Sequence, residues 1–381
     1  ADSANGSASS PTRSRRTIVQ RRKYALGYLQ RKFELSAQVT YAFICDVGES
    51  AGAGHAFRCI AVAEELKSRG IQSYLLSEDN DLEWIRDPIA SSGMVEVTTR
   101  FTARELILQL HRIQARVVVI DSYLIDQRIG HELRHAGFVV VGLVDSDTRG
   151  LEADVYLDQN PASSAPLGPR PPNSELLVGP KFALMRDSIL ECRAARKNRT
   201  QPPTLPARIL AYFGGTDDTG MARFVQAALI ATGLPLTATV VDPTLTAPLR
   251  MGGAAESAQE FLFRPPEAAI PTLAAEADIV ICAAGTSLLE QMCIGSAIVV
   301  VQTADNQAAN YLFAVESLVA VGLGDAGSAQ ANPRSAAAAL RKLLVEPSEV
   351  LRLRRAAAEL IDGNGRGRLV EAIAMKTHEG Q

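Results

Sequence analysis

No apolar run in this 381-residue chain reaches the length that a bilayer-crossing helix needs, so the body of the protein is expected to be soluble. A formal net charge of −3 offers no general attraction to phosphate backbones, and outside the N-terminus no basic stripe forms, which argues against nucleic acid as a partner. The cysteines Cys45, Cys59, Cys192, Cys282 and Cys293 are odd in number, widely spaced and without a C-x-x-C pair. They read as buried thiols of a reducing, cytoplasmic protein. Neither they nor the histidines show zinc-ligand spacing, and no metal or cofactor is expected. His131-Glu-Leu-Arg-His135 does have the zincin spacing, but it lies within a strand–helix alternation and lacks a nearby third ligand, so it reads as a solvated helix face.

What is present is a globular composition, 47% apolar and 21% charged, on a chain longer than one domain usually runs. Two domains with a cleft between them follow. Residues 1–36 are rich in Ser and Arg and lack an apolar core segment, which excludes a secretory signal. They are read as a disordered basic tail, with an organellar transit peptide as the other reading. From Val39 the apolar run to Cys45 reads as a buried strand, followed by a glycine loop and by helical spacing at Ala61-Val-Ala-Glu-Glu-Leu66. Further strands are expected at Ser73–Leu76, Arg116–Asp121 and Phe138–Val144, with an amphipathic segment over Ala103–Ile113. Strands apolar on both faces imply a parallel sheet, here a first domain over 37–190.

Proline clusters at Pro161–Pro172 and Pro202–Pro206 read as linkers or crossover loops. The alternation then restarts with Ala207–Gly215, a helix over Met221–Thr232, strands at Leu236–Val241, Asp278–Cys282 and Ala297–Val301, and a helix from Ser287. This gives a second domain over 205–381. Helices are expected at Ser335–Leu344, Pro347–Glu359 and Gly367–Lys376, the last of them packing back across the cleft.

The residues suited to chemistry sit where these strands should end. Gly52-Ala-Gly54-His55 leads from strand to helix, where glycines admit a phosphate or sugar and the helix N-terminus favours an anion. Phe57 stands in place of the third glycine of G-x-G-x-x-G, which argues against a dinucleotide-dependent dehydrogenase. His55 is a candidate base, or a histidine that caps its helix. Asp121 and Tyr123 should face the cleft, or else Asp121 caps the next helix and Tyr123 packs at a domain edge. In the second half Gly214-Gly215 forms a turn, and Gly285-Thr286-Ser287 opens a helix suited to a diphosphate. Glu290 either accepts from ribose hydroxyls or closes an S-x-x-E capping box with Ser287. Asp305-Asn306-Gln307 follows the next strand.

In order, Gly52-Ala-Gly-His-Ala-Phe-Arg58, Asp121-Ser-Tyr123, Asp158-Gln-Asn160, Gly179-Pro-Lys-Phe-Ala-Leu-Met-Arg186, Gly214-Gly-Thr-Asp217, Gly285-Thr-Ser-Leu-Leu-Glu290 and Asp305-Asn-Gln307 resemble a known family. It is the UDP-sugar hydrolase family of pseudaminic acid biosynthesis, related to the GT-B glycosyltransferase that builds lipid II. The resemblance implies an α/β protein of the GT-B type, two Rossmann-like parallel-sheet domains facing across a cleft. It also implies metal-independent, inverting displacement at the sugar C1 of a UDP-sugar donor, with His55 as base and Tyr123 lining the site. Gly52, Gly54, Arg58, Gly214, Gly215, Gly285, Thr286, Ser287, Glu290, Asn306 and Gln307 would hold substrate.

Two departures are visible. The loop Gly214–Gly220 has no asparagine where the hydrolases commonly carry one, and Leu289 stands where they usually carry tryptophan. Three readings result: transfer to a small acceptor, as enzymes such as cytosylglucuronate synthase do; hydrolysis, with water as acceptor; and nucleotide-sugar binding without turnover. The donor-site departures favour transfer, and the motif similarity favours hydrolysis.

Overall fold

The computed structural model describes residues 39–46, 54–78, 85–161, 168–199, 201–214, 217–252, 258–266 and 270–379. The expected basic tail and the glycines Gly52 and Gly215 lie outside the described residues. The first half contains β1 (Thr40–Cys45), β2 (Ser73–Ser77), β3 (Met94–Thr98), β4 (Ala115–Asp121), β5 (Val139–Leu143), β6 (Val155–Asp158) and β7 (Glu175–Val178). They form a seven-stranded parallel sheet in the order β3-β2-β1-β4-β5-β6-β7. The second half contains β8 (Ala207–Tyr212), β9 (Leu236–Val241), β10 (Leu249–Gly252), β11 (Gln259–Arg264), β12 (Ile279–Ala283), β13 (Ile298–Gln302) and β14 (Ala320–Asp325). Its order is β10-β11-β9-β8-β12-β13-β14, parallel except where β10 pairs antiparallel with β11 at the edge.

Alternation along each central strand divides its side chains between two covered faces. In β1, Phe43 and Cys45 pack with Cys59, Ile60 and Leu66 of the helix Gly54–Ser68. Ala42 and Ile44 point to the other face, against Leu106 and Leu110 of the helix Ala103–Arg112. Leu66 is fully enclosed, and trimming it to alanine would cost about 2–5 kcal/mol. Its helix ends at Gly70, whose φ of +71° lets the N–H of Ile71 return to the Leu66 carbonyl at 2.9 Å. The second sheet is covered in the same way, with Val225 and Leu229 on one face and Leu288 and Met292 on the other.

The proline-rich stretch beginning at Pro161 lies between β6 and β7, so it is a crossover within the first sheet rather than a boundary between halves. The chain passes to the second half after β7, where the helix Asp187–Lys197 packs on the helix Thr286–Ile294. It returns at its end: Leu369, Val370 and Ile373 of the helix Gly365–Glu379 join the core of the first half. All five cysteines are free and buried. No helix among the described residues is long and apolar enough to cross a membrane.

In each sheet the strand order reverses beside the first strand, between β1 and β4 and between β8 and β12. The loops leaving those strands at their carboxyl ends therefore diverge and leave a crevice, and both crevices carry the residues singled out from the sequence.

Candidate active site

Strand ends place the acids of the first half. Asp121 closes β4, Asp46 follows β1, Asp145 follows β5 and Asp158 closes β6. His55 is the second residue of the helix that leaves β1, and Arg58 lies one turn further on the same face. His55 Nδ1 is 2.6 Å from Asp121 Oδ1, with the two residues 7% and 0% exposed. Asp121 thus braces the histidine instead of capping the next helix, whose N-cap, Gln127, makes no side-chain cap bond. With Nδ1 directed at the carboxylate, Nε2 is the ring nitrogen left to accept a proton.

Arg58, placed on the substrate by the resemblance, is buried and committed to protein acceptors. Its Nε donates to Asp121 Oδ2 at 2.8 Å, its Nη2 to Asp121 Oδ1 at 2.6 Å and its Nη1 to Asp145 Oδ1 at 2.8 Å. Nη2 also comes within 3.0 Å of His55 Nδ1. Both atoms carry protons when Nδ1 donates to Asp121, so that approach is a contact and not a bond. Burial alone would lower the Arg58 guanidinium, but the charges of Asp121 and Asp145 raise it well above its usual value. Burial likewise works against the Asp145 carboxylate. The Arg58 charge, with hydrogen bonds from Arg58, Tyr123 and Asn160, nevertheless holds it well below the usual range.

Tyr123 completes this cluster. Its ring meets that of His55 edge-on, with centroids 4.7 Å apart and planes at 83°, and the Arg149 guanidinium lies 3.6 Å over the ring. Its hydroxyl donates to Asp145. Burial first, and then the Asp145 charge, push the phenol above its ordinary value, which keeps it a donor. The loop beneath is pinned by Asp46, which accepts from Ser122 Oγ and from the Tyr123 N–H, each at 2.5 Å. Sequence reasoning passed over Asp46 and Asp145, although both stand at the carboxyl end of a buried strand, the same signal that picks out Asp121.

The second half offers a more open arrangement. Gly285 is the N-cap of the helix Thr286–Ile294 and no side chain caps it, so the Ser287–Glu290 capping box does not form. Glu290 Oε1 instead accepts from Arg186 Nη2 at 2.8 Å, and the Arg186 guanidinium lies 3.8 Å over the ring of Phe57 in the first half. Gln307 Oε1 accepts from the Thr303 N–H at 3.0 Å and from Thr303 Oγ1 at 3.1 Å. Its Nε2 would lie 3.6 Å from a Cβ added at Gly285. Thr286 and Asn306 are exposed, Ser287 is half-buried, and Gly214 takes a φ of +93° in the loop after β8. Asp217, in the same loop, spends its carboxylate on the N–H groups of Met221 and Ala222 at 2.9 and 2.8 Å.

The two halves meet at these residues. A Cβ added to Gly54 would lie 3.4 Å from Thr286 Oγ1, so the N-termini of the helices Gly54–Ser68 and Thr286–Ile294 face one another beside His55. Two helix N-termini brought together favour an anionic group beside them. The zincin-spaced histidines lie apart from this: the rings of His131 and His135 meet at a tilt of 49° with centroids 4.2 Å apart, and His131 Nδ1 meets Glu152 Oε2 at 3.1 Å on an exposed helix face.

No family model matches the chain, and no curated protein matches it. Solved structures do. MurG from Acinetobacter baumannii is 17% identical with a TM-score of 0.65, the match covering 88% of this chain and 99% of MurG. The spinosyn rhamnosyltransferase SpnG is 14% identical with a TM-score of 0.58, covering 87% of this chain and all (100%) of SpnG. A UGT transferase from Siraitia grosvenorii, solved in complex with UDP, is 14% identical with a TM-score of 0.57, covering 89% of this chain and 100% of that one. The chain has the GT-B fold, two Rossmann-like sheets with helices on both faces.

Proposed function

We propose that the protein is a glycosyltransferase-type enzyme that binds a nucleotide-sugar, with UDP as the nucleotide, and passes the sugar to a small acceptor. The observation that carries this reading is the buried His55–Asp121 contact of 2.6 Å, set where Gly54 faces Thr286. A histidine braced at Nδ1 and positioned beside an anion-favouring space suits proton removal from a nucleophile that attacks next to a phosphate.

The donor is held by the second half. Gly285, Thr286 and Ser287 present N–H and hydroxyl groups to the diphosphate, and Glu290, oriented by Arg186, accepts from the ribose. Gln307 and Asn306 close the same side. His55 Nε2 removes the proton of the acceptor hydroxyl or amine. The freed electron pair forms the bond to C1 on the face opposite the nucleotide, the C1–O bond breaks, and UDP leaves with the electron pair of that broken bond while the facing helix N-termini meet its charge. The sugar is inverted, in the metal-independent displacement that the sequence resemblance implies. Asp121 holds the histidine tautomer and Arg58 anchors Asp121, so neither is assigned a contact with substrate.

The test is incubation of the protein with a panel of UDP-sugars, with and without small acceptors such as cytosine, followed by mass spectrometry. UDP that appears only with an acceptor supports transfer, and the mass of the new product names both partners. UDP and free sugar without an acceptor make the protein a hydrolase of the kind its motifs resemble. Saturable binding with no turnover would leave a binding protein and remove the mechanism above.

A further inference from the structure

Away from the cleft, at the opposite end of the helix Thr286–Ile294, a cavity of about 330 Å³ opens beside the helices Asp187–Lys197 and Pro347–Leu360. Its lining carries Arg193, Arg196, Lys197, Arg199, Arg354 and Arg355 and no carboxylate. Part of this charge has a structural purpose. Arg196 Nε donates to the Gly295 carbonyl at 2.9 Å and Nη1 to those of Ala274 and Ala275 at 2.8 and 2.9 Å, which caps the ends of two helices. Arg193 does the same for Cys293 and Ala358, at 2.6 and 3.0 Å. Asp278 is the carboxylate that both Arg199 and Arg354 reach, at 2.9 and 3.2 Å.

Helix capping leaves two donors unexplained. Arg196 and Arg354 are 5% and 7% exposed, yet Arg196 Nη2 and Arg354 Nε are buried without a hydrogen-bond partner among the described residues. An unpaired buried N–H of a cation costs more than a neutral one, so both groups favour negative charge nearby. The electrostatics agree. Burial, and then the neighbouring Arg354 and Arg199, push the Arg196 guanidinium down to about 9, and burial lowers Arg354 as well. At the surface, Lys197 and Arg355 are exposed cations bordering the same cavity.

We propose that this cavity is a binding site for a small phosphate-bearing anion, held by the exposed cations Lys197 and Arg355, with Arg196 and Arg354 adding positive charge from the buried side. Clustered guanidinium donors match the several acceptor oxygens of a phosphoryl group. The apolar walls supplied by Ile294 and Leu351 suit an organic phosphate. The cavity lies at the opposite end of this helix from Gly285, Thr286 and Ser287, the residues proposed to hold the donor.

Thermal unfolding of the full chain is followed while inorganic phosphate or glucose 6-phosphate is titrated, with sodium chloride at matched ionic strength as the control. Saturable stabilisation is expected with at least one phosphate and not with chloride, and preference for glucose 6-phosphate over inorganic phosphate separates a phosphorylated metabolite from the free ion. The double variant Lys197→Glu/Arg355→Glu should weaken the apparent affinity about tenfold or more through charge reversal. Arg355→Gln alone, which leaves every capping bond in place, should weaken it by less. Thr286→Glu, which places a carboxylate at the other end of the helix, should leave it unchanged. Stabilisation no greater than with chloride overturns the proposal. Equal weakening by Thr286→Glu and by the double variant, or weakening by Thr286→Glu alone, overturns it too, since the anion would then sit in the cleft.

Discussion

The two halves of the cleft are built to different standards. In the first half, His55, Arg58 and Asp121 are each less than a tenth exposed and share one network of charge-assisted hydrogen bonds that extends to Asp145 and Tyr123. In the second, a glycine N-cap, an exposed threonine and an exposed asparagine surround the helix N-terminus, and one ion pair, Arg186–Glu290, supplies the order. The first arrangement is complete before any ligand arrives, as suits a group that must hold a proton-accepting geometry. The second leaves backbone N–H groups open at a helix N-terminus, as suits a surface that gains its partners from the ligand.

That contrast is sharpest in the response to losing one residue. Asp121→Ala removes the shared acceptor of His55 and Arg58 from a fully buried position. It should cost about 3 kcal/mol in stability, measured by urea unfolding, because an arginine is left buried with half its partners. Turnover should fall by about 10²-fold or more, since the histidine loses its brace. His55→Ala should lower turnover by about 10²-fold or more while leaving stability within about 1–2 kcal/mol of the parent. Equal losses of stability in the two variants would erase the distinction between the proposed base and its brace.

On the open side the expected changes are smaller and lie in binding. Glu290→Gln weakens a partly exposed ion pair and, on the proposed function, the contact to the ribose. The KM for the donor should rise about tenfold, equivalent to about 1.4 kcal/mol, with kcat within a few-fold. A fall in kcat without a change in KM would move Glu290 from holding the donor to the chemistry.

The smallest effect concerns acid. Asp145 is held below its ordinary value in the folded state, so it adds stability at pH values above its unfolded pKa of about 4, and that contribution is lost as pH falls further, toward the folded value. Asp145→Asn should therefore flatten the decline of unfolding free energy below about pH 4 and change stability little in its slope near pH 7. An unaltered acid limb would show that Arg58 does not draw on Asp145 as the geometry suggests.

The buried strands and the helix-start loops are legible in the sequence because burial on both faces leaves continuous runs such as Arg116–Asp121 and Ala297–Val301. Edge strands are not. Met94–Thr98 and Leu249–Gly252 carry Glu96, Arg250 and exposed neighbours, since one side of an edge strand meets solvent and no apolar signature is required of it. The short strands Val155–Asp158 and Glu175–Val178 flank a proline-rich stretch that reads as a linker or a crossover loop, and pairing across it cannot be inferred from composition. His55, Asp121 and Tyr123 are visible one by one from their place at strand ends. Their union is not, because it depends on β4 lying beside β1 across 66 residues of chain from His55 to Asp121. Arg58 shows the limit most clearly: its motif position suggests a ligand contact, and only the fold reveals that two carboxylates have claimed it.

The return of the last helix to the first half has a mechanical meaning. The chain crosses between halves twice, and the crossings are fastened side by side: Arg366 reaches Asp187 at 2.6 Å and the Met185 carbonyl and Glu64 at 3.2 Å, while a Cβ at Gly365 would run into the Ala183 carbonyl at 2.3 Å. One tether would let the halves swivel freely; two tethers pinned together define a spine and restrict any turn to that one axis, as the binding does for the covers of a book. A turn about that spine would change the distance between Gly54 and Thr286 and carry His55, Asp121 and Arg58 along as a single piece.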